Sequence, residues 1–276
     1  ANSTNWGRLM PQIVYYFSAY LDMLKNKMLE CDESFNVVVP TGNFGNILSA
    51  YYAKCMGLPI HKLICASNRN NILTDFINTG IYNRNRKFYK TISPSMDILI
   101  SSNLERLLFE LSDKDDRTII DLMENLQQKG EYRIDGKMLK KVQSVFWGGF
   151  ASDRQTLESI KDTYNEYNYI VDPHTAVAKH VYDMYKSATG DSRKTLIVST
   201  ASPFKFADDV LKAIAGIDST RDKDEYELLK LLSSITYMDI PKPLAQLEGK
   251  SIIHNIVCEK QDMKYKVFNI LNLDGE

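Results

Sequence analysis

The sequence predicts an open α/β fold, a mainly parallel sheet flanked by helices. Three observations carry this. Short apolar runs of four to six residues ("FNVVVP", "KLICAS", "YNYIV", "TLIVST") are separated by segments with helical spacing. The runs do not alternate apolar with polar residues, so each is buried on both faces, as strands of a parallel sheet are. Helical segments between successive strands are what parallel crossovers require.

Taken in order, residues 6–29 place Leu9, Ile13, Tyr16, Phe17, Tyr20 and Leu24 at helical spacing. "FNVVVP" is a buried strand closed by Pro40. "ILSAYYAKCM" runs helically to Gly57, with Pro59 just beyond. "KLICAS" is the second strand, and "NILTDFINTG" a short helix ended by Gly80. "SSNLERLLFEL" carries a capping box, Ser102 with Glu105, ahead of a leucine-rich helix. Residues 112–165 are charged, contain the turn-like "GEYRIDGK", and read as a helical insertion. "YNYIV" and "TLIVST" are two further strands, each followed by a helix. The tail from about residue 220 is mostly helical, with a proline break at "DIPKPL".

The 276 residues suffice for one large or two modest domains. A formal net charge of −1 argues against a nucleic-acid or membrane partner won by bulk electrostatics. No apolar run reaches the length of a membrane span, and the opening "ANSTNWGR" lacks the order of a signal peptide. Cys31, Cys55, Cys65 and Cys258 form no C-x-x-C pair, and no histidine stands at metal-ligand spacing. Reduced thiols, no metal site and a cytoplasmic location are expected.

In an open α/β sheet, ligands bind beyond the C-terminal ends of the strands. Three strand ends are candidates. After "VVVP" comes "TGNFGN", where Gly42, Asn43, Gly45 and Asn46 lead into a helix. Glycines allow a tight turn, and the helix start adds orphan N–H donors and the positive end of its dipole. Two readings stay open on spacing alone: an Asn/Gly turn, or a phosphate cradle. The loop is neither a P-loop nor a dinucleotide fingerprint. At "STASPF", Thr200 offers a hydroxyl, while N-capping accounts for Ser202 and the first helical position for Pro203. At "VDPHTAVA", Asp172 and Pro173 fit the same two roles, and His174 reads as structural. Near the first helix, Asn5 and Arg8 add a polar group and a guanidinium suited to phosphate.

Together, "NSTNWGRLMPQIVYYF", "VVVPTGNFGNILSAYYAKCMGLPI", "NNILTDFINTGIY", "SPSMDILISSNLERLLFEL", "VDPHTAVA" and "STASPFKFADDV" resemble threonine synthases. The C-terminal "IPKPLAQLEGK" is similar as well, so the resemblance spans nearly the whole chain and is weakest over 112–165. Members are pyridoxal-phosphate (PLP) enzymes of fold type II, with tryptophan-synthase-β-like architecture, that turn O-phosphohomoserine and water into threonine and phosphate. The resemblance implies that Gly42, Asn43, Phe44, Gly45 and Asn46 hold the PLP phosphate. It implies that Thr200 bonds the pyridine nitrogen, and that Asn5 and Arg8 lie near the substrate, with Arg8 on its phosphate.

Two departures bear on this. Ser202 stands where the family usually has histidine. The family's Schiff-base lysine belongs to a segment upstream of "NSTNW", with much of the small domain; Lys205 is not that lysine. The expected organisation is therefore the C-terminal part of the PLP-binding domain (1–111 and 166–216), the helical insertion (112–165) and a C-terminal helical extension (217–276). No catalytic residue is expected within these 276 residues, and the isolated chain is expected to be inactive, to hold PLP weakly if at all, and to self-associate. Two alternatives remain: a threonine-synthase-like phospho-lyase yielding a 2-oxo acid, and a non-catalytic phosphate-binding module of the same fold.

Overall fold

The computed structural model describes residues 5–251, 253 and 255–273. Residues 2–4 of the "NSTNW" segment lie outside the described residues. Two units separate: one through Met238, and a smaller one from Asp239.

In chain order the first unit contains α1 (Trp6–Lys25), β1 (Phe35–Pro40), α2 (Gly45–Cys55), β2 (Ile60–Ser67), α3 (Ile72–Thr79) and β3 (Ile81–Asn83). Next come α4 (Leu104–Leu111), α5 (Asp116–Lys129), β4 (Glu131–Arg133), α6 (Gly136–Val145) and β5 (Phe146–Phe150). It ends with α7 (Asp153–Tyr167), α8 (Pro173–Thr189), β6 (Thr195–Ile197), α9 (Ala207–Ala215) and α10 (Glu225–Thr236). The second unit holds α11 (Lys242–Ala245) and α12 (Met263–Ile270).

The main sheet is parallel throughout, in the order β5-β2-β1-β6. Side chains alternate across it with period two. Phe35, Val37, Val39, Leu63 and Cys65 face the core that includes Leu9, Tyr16, Ile47 and Leu48 of α1 and α2. Val38, Ile64 and Ala66 face the other way, onto Val177, Ala178 and Val181 of α8. Both faces are thus covered, which is why Val37, Val38 and Val39 of β1 read as an unbroken apolar run. The fold is the mainly parallel, helix-flanked α/β sheet that the sequence predicts.

Local differences are instructive. α1 stops at Lys25, where the Asn26 side-chain amide donates to Asp22 O (2.8 Å) and Lys27 turns left-handed (φ 55°). α4 starts at Leu104 with Asn103 as N-cap, one residue later than a capping box at Ser102 places it. "YNYIV" is not a strand: Ile170 and Val171 are buried without ladder partners and lead into the Asp172 N-cap. Residues 112–165 are not wholly helical. Glu131–Arg133 pairs antiparallel with β3, and Phe146–Phe150 is a parallel edge strand of the main sheet. Its two glycines have a packing reason. A Cβ on Gly148 would stand 3.1 Å from the Thr74 Cα of α3, and one on Gly149 2.9 Å from the Val181 side chain of α8.

Candidate active site

β1 connects through α2 to β2 on one side, while β6 pairs with β1 on the other. The strand order therefore reverses between β1 and β6, and a crevice opens beyond their C-terminal ends. A cavity of about 620 Å³ lies there. Its wall includes Arg8 and Gln12 from α1, and Gly42, Asn43, Gly45 and Asn46 from the β1–α2 turn. Ser95, Met96, Asn103, His174, Thr200 and Lys205 complete most of the rest. Among the described residues, no carboxylate lines it, whereas two cations do.

The β1–α2 turn is built to present donors. Phe44, the N-cap of α2, is left-handed (φ 65°), and helical geometry begins at Gly45. A left-handed residue followed by a right-handed one turns three successive N–H groups, of Phe44, Gly45 and Asn46, into one concavity. None of the three finds an acceptor among the described residues; Ile47 N–H donates to Asn46 Oδ1 (2.9 Å), and Leu48 N–H is the first to reach back to a backbone carbonyl, Phe44 O (3.0 Å). The Phe44 side chain anchors the strained residue: it is buried, with its ring 5.7 Å from that of Phe146. A left-handed non-glycine costs about 1–3 kcal/mol and persists only where packing over-determines it.

The two glycines differ in kind. A Cβ on Gly42 would meet Ser95 O at 2.7 Å, so the chain itself demands glycine there. A Cβ on Gly45 would meet nothing nearer than the Asn103 amide at 3.5 Å, an ordinary contact, and Gly45 has no positive φ. Among the described residues, no close contact and no backbone strain requires glycine at 45.

The turn is held from three sides. Asn46 donates its side-chain amide to Pro40 O (2.8 Å), and Tyr16 OH donates to Asn46 O (2.7 Å). Ser101 Oγ donates to Gly42 O (2.8 Å), and Asn103 gives its N–H and side-chain amide to Asn43 O (3.2 and 2.9 Å). On the far wall, Asp172 caps α8. It accepts from His174 N–H (2.9 Å), from His174 Nδ1 (2.8 Å) and from the Thr175 hydroxyl. Burial alone would push the Asp172 carboxyl up, but these donors outweigh it and hold it below the usual carboxylate range.

The structure therefore brings Arg8, Gly42, Asn43, Gly45, Asn46 and Thr200 around one cavity. It does not bring Phe44's side chain or Asn5 there. Phe44 contributes only its backbone N–H, and Asn5 is the exposed N-cap of α1, accepting from Gly7 N–H (2.8 Å). Sequence reasoning assigned no ligand role to Ser95, Met96, Asn103, His174 or Lys205. Only contacts across the fold reveal them; "SPSM" and "PFKF" carry no chemistry-bearing spacing.

No protein-family model matches the chain. Threonine synthase of Saccharomyces cerevisiae is 39% identical over 250 residues, covering 85% of this chain and 48% of that protein. Threonine synthase-like 1 of Homo sapiens is 47% identical over 231 residues, 83% of this chain and 31% of that protein. The chain thus spans about a third to a half of the curated relatives it matches. The crystal structure of yeast threonine synthase aligns with TM-score 0.72 at 36% identity, over 83% of this chain and 48% of that one. A structure of PLP-bound threonine synthase from Brucella melitensis aligns with TM-score 0.71 at 35% identity, over 85% and 52%. A helix-covered parallel sheet that these structures match over 83–85% of the chain defines an α/β scaffold of fold type II. Within that class, the chain belongs to the threonine-synthase-type family.

Proposed function

We infer that this chain supplies the phosphate-binding part of a PLP-dependent lyase that converts O-phosphohomoserine and water to threonine and phosphate. The observation that supports it most is the concavity of three orphan N–H groups at the start of α2, beside a Gly45 whose Cβ position is open among the described residues. When bound, PLP supplies an electron sink for removing protons α and β to the amino group. This chain's own residues would hold and orient the bound groups. The Phe44, Gly45 and Asn46 N–H groups take the cofactor phosphate, and the α2 dipole adds to their pull. Thr200, which lines the same cavity, would offer a neutral hydroxyl to the pyridine nitrogen, and among the described residues no carboxylate lines the cavity to compete for it. Arg8, extending from the first turn of α1, clamps the phosphate of the substrate. Lys205 adds a second cation to the same wall.

A second reading is a phospho-lyase that eliminates phosphate and yields a 2-oxo acid; it stays open because the chain is also 47% identical to a protein named threonine synthase-like rather than threonine synthase. One assay separates them. The full-length protein is given O-phosphohomoserine with PLP, and phosphate, threonine and 2-oxo acid are measured together. Threonine equimolar with phosphate is expected; a 2-oxo acid in its place favours the second reading, and no phosphate release overturns both.

A further inference from the structure

His174 has no part in the reading above, yet its ring joins three pieces of the cavity wall. Its Nδ1 sits 2.8 Å from Asp172 Oδ1, an acceptor-only carboxylate, so Nδ1 carries the proton. Nε2 is then a bare acceptor, and it receives the N–H of Ser95 (3.2 Å). The ring edge meets Phe206 at 4.9 Å between centroids. The adjacent Thr175 hydroxyl bonds Asp172 and lies 3.4 Å from Ser199 Oγ, next to Thr200. Ser95 in turn presses on the cradle, for its carbonyl stands where a Gly42 Cβ would be, 2.7 Å away.

We propose that His174 is a positioning residue: as the neutral Nδ1–H tautomer it holds the Ser95–Met96 backbone against Gly42 and thereby sets the aperture of the phosphate cradle. This rests on the cradle reading given above, and extends it to a residue that acts through the Ser95 backbone it bonds. The mechanism is a donor–acceptor match. A protonated ring would turn Nε2 into a donor facing the Ser95 N–H donor, and the contact would be lost. Asp172 is the carboxylate bonded to the ring; Arg8 and Lys205 are the charged groups that line the cavity with it.

The test has two parts. Nitrogen-15 NMR of the imidazole in the full-length protein is expected to show Nδ1 protonated and Nε2 bare at neutral pH; an Nε2–H tautomer overturns the proposal. Affinity for inorganic phosphate is then measured on wild type, His174→Gln and His174→Leu. Glutamine keeps an acceptor near the Nε2 position, so its affinity is expected within about threefold of wild type, while leucine loses about tenfold. Equal affinity in all three, or equal loss in both folded variants, overturns the proposal, the latter because ring packing alone would then matter. Should His174→Leu fail to fold, Ser95→Pro deletes the N–H donor with His174 intact and is expected to show the same loss. Wild type that binds no phosphate while keeping the Nδ1–H tautomer counts against the cradle, and leaves the contact between His174 and Ser95 supported.

Discussion

Gly45 and Gly42 stand three residues apart in one turn, and the structure separates their reasons for being glycine. Alanine at 45 would place its Cβ 3.5 Å from the Asn103 amide and nearer to nothing else among the described residues. The backbone there is helical and right-handed, so alanine is unstrained and reduces the freedom of the unfolded chain by about 0.4–1 kcal/mol. For a unit of this size, that raises the melting temperature by about 1–4 °C. Gly45 lines the cavity, so the same methyl would take space beside the N–H concavity, and an anion is expected to retreat from at least one amide. Losing one hydrogen bond to a charged ligand costs about 1.5–3 kcal/mol, or roughly ten- to a hundredfold in affinity. Gly45→Ala is therefore expected to stabilise the fold while weakening phosphate binding. Gly42→Ala, with its Cβ 2.7 Å from Ser95 O, is expected to lose about 1–3 kcal/mol of stability. Calorimetric melting and phosphate titration of both variants check this. A Gly45→Ala protein that melts several degrees lower, or that binds phosphate within threefold of wild type, refutes the reasoning.

Two further outcomes concern the scaffold. Burial pushes the Asp191 carboxyl up, but donors from Tyr185 (2.7 Å), Asn36 (3.0 Å) and Arg193 hold it well below the ordinary carboxylate range. A depressed folded value stabilises above the unfolded pKa of about 4, and the benefit fades as pH falls below that through the folded value. Asp191→Asn is thus expected to cost about 1–3 kcal/mol at pH 7 and progressively less below pH 4, read from urea midpoints; a pH-independent cost contradicts the assignment. The outer edge of β6 pairs with nothing among the described residues, and Met10, Val14, Tyr15 and Leu21 of α1 are exposed. The chain expressed by itself is expected to self-associate, and Val14→Lys to reduce this; a monomer at every concentration in sedimentation velocity overturns that expectation.

Much of the layout was legible because burial on both faces leaves a plain signature. Val37, Val38 and Val39 pack alternately toward α1–α2 and toward α8, so no polar residue interrupts them. β5 left no such trace. "FWGGF" lies inside the segment read as a helical insertion, since glycine is depleted in strands and gives no strand signal, yet its glycines let α3 and α8 approach, a reason invisible without the helices in place. "YNYIV" errs the other way: an apolar run records burial, and burial does not require a ladder. Site residues follow the same division. Local turn chemistry marked Gly42, Asn43, Gly45 and Asn46, while Thr200 could be ranked above other strand-end threonines only through the resemblance.

His174 shows why a capping motif can hide a site residue. "DPHT" is fully explained by helix initiation: Asp172 accepts from the His174 N–H, and Pro173 needs no acceptor of its own. That explanation uses the backbone and exhausts one carboxylate oxygen's local duty. It says nothing about the ring, whose second nitrogen bonds a residue 79 positions away in the chain. Since the α8 cap, the Ser95 turn and the end of β6 all lie at the C-terminal edge of one parallel sheet, a residue that caps the helix is also placed to brace the loops around it. A parallel sheet puts helix starts and strand ends on the same rim. The residues that begin its helices are accordingly the ones best placed to hold a ligand, or to hold what holds it.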